Sequence, residues 1–141
     1  MTAKEYLSQA FRLDERINSK IQQLESLNAL ATKSTSTLSD MPRSPNRSSR
    51  MEDAIVKIVD LQDEINKDID SLVELKAEIM RAIKAVDNIE YRTILEKRYL
   101  CFLTWEQIAV DLGFNVRHLY RLHGEALAQV VVPENLSPNV T

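Results

Sequence analysis

Between residues 51 and 87 no Gly or Pro interrupts the chain, and Met51, Ile55, Ile58, Leu61, Ile65, Ile69, Leu72, Leu75, Ile79, Ile83 and Val86 recur at steps of three and four. That spacing places one apolar stripe along a single long helix. About 37 residues rising 1.5 Å each make a rod of roughly 55 Å. Such a rod cannot bury its stripe against itself, so it needs another helix of the same chain, a second copy, or both.

A first partner is legible upstream. Thr2 and Glu5 form a Thr-x-x-Glu capping box, and Tyr6, Ala10, Leu13, Ile17, Ile21, Leu24 and Leu27 follow at helical spacing. The stripe fades near Ala31. Residues 32 to 50 are rich in Ser, Thr and Pro and offer little to bury, so an irregular or disordered linker is expected there. A flexible chain of that length spans roughly 24 Å, enough to let the flanking helices pair within one chain or across two. The second helix is expected to start after Ser49, with Glu52 at the capping-box position.

The C-terminal part has a different rhythm. Asp87-Asn88 marks a break, and a helix is predicted at about Glu90 to Leu100. Thr104 with Gln107 caps the next helix, Gly113 supplies a turn residue able to take positive φ, and Asn115 caps a last helix over about Val116 to Val131. Pro133 ends it, and residues 133 to 141 read as a disordered tail. Trp105, Ile108, Ala109, Leu112, Phe114, Leu119, Leu122, Ala126 and Leu127 are the expected core of this part, with Ala109 small enough to let helices cross closely.

The expected architecture is therefore all-α. It comprises an N-terminal amphipathic helix (1–31), a linker (32–50), a long coiled-coil-like helix (51–87), a helix-turn-helix domain (88–132) and a tail (133–141). A helix-turn-helix leaves one face of its second helix free for the DNA major groove. The residues expected to face DNA are Thr104, Asn115, Val116, Arg117, His118, Tyr120 and Arg121. Arg can bond guanine with two hydrogen bonds, Asn can pair with adenine, and Val116 can meet a thymine methyl.

The charge distribution bears on the partner. The net charge of −3 is concentrated on residues 51–87, which hold five basic and ten acidic side chains, whereas residues 88–130 balance five against five. A neutral reader binds phosphate weakly as a single copy, so a homodimer through the N-terminal and central helices is expected to double its contacts. Asp60, Asp63, Glu64, Asp68 and Asp70 read as a solvated face.

The inventory points away from an enzyme. His118 and His123 lie about 140° apart on a helix and cannot share a metal. Cys101 is the single cysteine, and Gly113 and Gly124 are the two glycines, so neither a disulfide, a zinc site nor a glycine-rich phosphate loop is expected. No cofactor is expected. The longest apolar runs are far short of a membrane span, and one cysteine without a mate fits a reducing cytoplasm.

Tyr91-Arg92-Thr93-Ile94-Leu95-Glu96-Lys97-Arg98-Tyr99-Leu100, followed by Thr104-Trp105-Glu106-Gln107-Ile108-Ala109 and Leu112-Gly113-Phe114-Asn115, resembles region 4 of sigma-70-type factors. The whole layout is similar to small phage and prophage late-gene regulators of the ArpU/RinA group. The resemblance implies promoter-proximal DNA binding, with contact to RNA polymerase as a further or alternative role. By position it places Arg117, His118 and Arg121 where that family reads DNA. Asn115 stands where Ser is usual, and both cap. Gly124 stands within the last helix where a longer residue is common, at about 1 kcal/mol relative to Ala.

Overall fold

The computed structural model describes the backbone of residues 1–38 and 45–133, and the side chains of 1–33 and 49–133. Every regular element among them is helical: α1 (Ala3–Leu38), α2 (Pro45–Lys84), α3 (Ile89–Leu95), a π-helical turn (Glu96–Leu100), α4 (Trp105–Leu112) and α5 (Val116–Ala128). None of the described helices is long and apolar enough to cross a membrane. The chain divides into two compact units, Met1–Leu13 with Leu72–Thr141, and Asp14–Ser71.

The Asp14–Ser71 unit holds the middle of both long helices. Ile17 and Ile65 are buried in it, while Ile21, Leu24, Leu27, Ile58 and Leu61 are partly covered. Lys20 Nζ donates to Asp68 Oδ2 across 2.6 Å. Asp68 was expected on a solvated face and instead pairs with α1. The pair is partly exposed, so its contribution is at most about 1 kcal/mol. Two residues of the expected α2 stripe face outward: Ile55 is 52% and Ile69 41% exposed, and Val56 and Val59 join them outside.

The long helices also run past their expected ends. α1 continues to Leu38, and α2 starts at Pro45 rather than after Ser49, so much of the anticipated linker is helical. Proline suits that start, because the amide it lacks would have no partner in the first turn. The disorder expected at 39–44 and at 134–141 lies outside the described residues.

The other unit closes on the first turns of α1. The capping box forms as expected, with Glu5 N donating to Thr2 Oγ1 at 3.1 Å and Thr2 N to Glu5 Oε2 at 3.3 Å. It sets Tyr6, Leu7 and Ala10 fully inside a core shared with Ile79, Ile83 and Val86 of the α2 end, Leu95, Tyr99, Ala126 and Val130. Leu7 lies outside the spacing of the expected stripe. Burying a side chain of this size stabilises by roughly 1.5–3 kcal/mol.

α3 is capped by Asn88, whose Oδ1 accepts from Tyr91 N at 3.1 Å. The single helix expected over residues 90–100 widens into the π-helical turn, which is closed by Cys101 N donating to Glu96 O at 3.0 Å. Leu103 N then donates to Lys97 O, with Phe102 between them at φ 58°. Such a left-handed helix end is ordinarily glycine, and an aromatic residue there is strained by roughly 1–2 kcal/mol. Contacts of the ring offset this: Phe102 meets Phe11 edge-on at 5.5 Å and lies under Lys76 Nζ at 4.5 Å.

Candidate functional site

α4 and α5 form a helix pair whose ends are fixed by local chemistry. Gln107 N donates to Thr104 Oγ1 (3.2 Å) and Thr104 N to Gln107 Oε1 (2.9 Å), a complete capping box. α4 stops at Gly113, whose φ of 72° is the left-handed conformation that glycine adopts without a Cβ clash. Phe114 N then donates to Ala109 O, and Asn115 Oδ1 accepts from His118 N at 2.8 Å to start α5.

One side of this pair is apolar and buried. Ile108, Ala109, Leu119 and Leu122 pack with Ile94 of α3, and Trp105, Leu112, Phe114 and Val116 cover them. α5 packs on both α3 and α4. Ala126 and Leu127 were expected in this core and instead belong to the neighbouring one built on Tyr6 and Ile79.

The other side of α5 carries the residues singled out from sequence. Arg117 is exposed and has no hydrogen bond or ion pair among the described residues. Tyr120 is half exposed, its ring edge-on to Trp105 at 5.5 Å. Arg121 is exposed, with Nη2 3.1 Å from Nδ1 of His118. His118 is half-buried and meets the Phe114 ring edge-on at 5.0 Å. Arg117, Tyr120 and Arg121 thus share one open face one turn deep. Thr104 and Asn115 spend a side-chain oxygen on helix caps. Val116, expected to reach outward, is half-buried and packs against the apolar core of Ile94, Ile108, Ala109, Leu119 and Leu122.

Residues 31–130 match the family described as protein of unknown function (DUF1492). The chain belongs to the DUF1492 family. No curated protein and no solved structure matches it. In this DUF1492 chain the match takes in α2 to α5 and omits Tyr6, Leu7 and Ala10, which nevertheless complete the core beneath α5.

Sequence reasoning also passed over a buried polar cluster in the DUF1492 protein. His123 is 8% exposed and shares a 2.7 Å hydrogen bond with the Tyr99 hydroxyl. The Trp105 ring lies 4.5 Å from the imidazole. Burial, and then the positive charges of Lys4 and Arg98, lower the His123 pKa to about 4, while burial raises Tyr99 to about 12. Arg98 Nη1 donates to Leu103 O at 3.0 Å, and its guanidinium lies over the Trp105 ring at 4.5 Å. A signal for His123 existed: Leu119, His123, Ala126 and Val130 step by four, three and four along the buried side.

Proposed function

We propose that this protein is a sequence-specific DNA-binding transcriptional regulator whose α4 and α5 act as a helix-turn-helix, with α5 entering the major groove. The observation that carries this reading is the open face of α5, where Arg117, Tyr120 and Arg121 stand together without a carboxylate partner while the opposite side packs on a largely apolar core. An exposed arginine pair one turn apart suits one phosphate and one guanine edge. Asn115 caps the start of α5, and a helix N-terminus favours a phosphate oxygen. The resemblance to sigma-70 region 4 and to phage late-gene regulators of the ArpU/RinA group supports the same assignment, with double-stranded DNA as the partner.

The reading includes a homodimer through the long helices, arranged as a hairpin or coiled coil. Ile55, Val56 and Val59 are each more than half exposed on α2, an apolar surface that a second copy would cover. Two copies would also offset the charge neutrality of residues 88–130.

The test is selection of bound duplexes from a random DNA pool at about 0.15 M salt, with the Arg117→Ala/Arg121→Ala variant as control. An enriched motif that disappears in the folded variant supports the reading; no enrichment with folded parent protein removes it. A second reading, an adaptor that contacts RNA polymerase with little DNA affinity, is favoured by Val110. This residue is 81% exposed on α4 beside the exposed Glu106 and Asp111. A pull-down with RNA polymerase, lost in Val110→Asp, would support it.

A further inference from the structure

We infer that the unit containing α3 to α5 carries a pocket for a small aromatic anion, one ring bearing a carboxylate or phosphate. The cavity, about 110 Å³, opens where the start of α1 meets the π-helical turn and α4, with Lys4, Phe11, Arg98, Phe102 and Trp105 on its walls.

Its charge is unbalanced. Lys4 and Arg98 both line the cavity, and neither has a carboxylate partner among the described residues. Their joint positive field is felt by the adjacent His123, whose imidazole is held neutral by burial and by these two cations. Two cations without a carboxylate partner beside a partly aromatic recess attract an anion more strongly than the same charges in open water.

Its walls are aromatic. Phe11 and Phe102 meet edge to face, and the Trp105 ring is covered on one side by the Arg98 guanidinium. A planar ring packs well among such faces. A closed apolar cavity of roughly 150 Å³ accepts benzene. This smaller, open recess would take one ring partway, leaving the charged head beside the exposed Lys4.

The backbone is irregular at the same place. The π-helical turn supplies Arg98 and Tyr99, and Phe102 is the non-glycine residue with positive φ among the described residues. π-turns and strained residues concentrate at ligand sites. Glycine would cap the turn without strain, yet it would leave the cavity without one of its walls.

Trp105 is the single tryptophan, so its emission reports on the pocket directly and needs no DNA. The full chain is titrated with benzoate and with phenyl phosphate at constant ionic strength. Benzamide (ring without charge) and acetate (charge without ring) are the controls. The expected result is a saturable change with either aromatic anion, with a midpoint on the order of millimolar. It weakens about tenfold in Lys4→Ala and disappears in Phe102→Leu, which keeps apolar packing against Phe11 but removes the aromatic wall, with the fold of each variant checked by circular dichroism. The inference is overturned by no saturable change up to about 50 mM, by equal responses to benzamide or acetate, or by unaltered binding in folded Lys4→Ala. Failure here leaves the DNA reading untouched, because the two assays share no ligand.

Discussion

The Tyr99 hydroxyl and Nε2 of His123 lie 2.7 Å apart, buried between the π-helical turn and α5. Because His123 titrates near 4 when folded and near 6.5 when unfolded, the unfolded chain binds the extra proton first as the pH falls. Stability from this group is complete above pH 6.5 and is lost progressively down to about pH 4, by up to about 3 kcal/mol. Urea unfolding at several pH values should show this slope in the parent and a flatter one in His123→Phe. Equal slopes would contradict a neutral buried imidazole.

The two glycines should respond oppositely to alanine. Gly113 holds a φ of 72°, so Gly113→Ala should destabilise by about 1 kcal/mol. Gly124 is inside α5 with open space where a Cβ would stand, so Gly124→Ala should stabilise by about 1 kcal/mol. Thermal melting of the two variants reads both signs.

Asn115 offers a separation of folding from recognition. Asn115→Ser should keep the cap and the stability, whereas Asn115→Ala should lose about 1 kcal/mol. If α5 reads DNA through Arg117 and Arg121, the Ser variant should bind DNA within a few-fold of the parent, as fluorescence anisotropy would show.

Arg117→Ala/Arg121→Ala should leave the melting temperature nearly unchanged, since both side chains are exposed. On a selected duplex the same variant should reduce the slope of log affinity against log salt by up to about 2 if both contact phosphate. An unchanged slope with unchanged affinity would clear this face of any DNA role.

Self-association is checked by light scattering. The parent should sediment and scatter as a dimer at micromolar concentration, and Val56→Asp/Val59→Asp should be a folded monomer. A monomeric parent would remove the dimer from the proposal.

The local signals were largely legible. Thr2, Thr104 and Asn115 cap helices and Gly113 turns one, because each choice is settled by residues within one turn. The α2 stripe was legible only in outline. Ile55 and Ile69 keep the right spacing but sit on its outer flank, and which flank is covered depends on where α1 lies. The left-handed Phe102 and the π-helical turn carried no sequence signature, since ring packing from Phe11 and Lys76 overrides the backbone preference. The three-and-four spacing marks the side of α5 that holds His123, but its partners Tyr99 and Trp105 come from other elements and leave no local signal.

Tyr6 and Ala126 meet in one core although about 120 residues separate them. During synthesis at ~5–20 residues per second, the first turns of α1 therefore wait on the order of ten seconds for the surface that covers them. Until α5 emerges, Tyr6 and Leu7 can meet Ile79, Ile83 and Val86 but lack the Ala126 and Val130 side of their core, and closing so long a loop makes the last step slow. The start of α1 is thus fully sheltered only after residues far downstream of it are made, and a ribosome-bound chain halted before residue 116 should be the form most prone to clump.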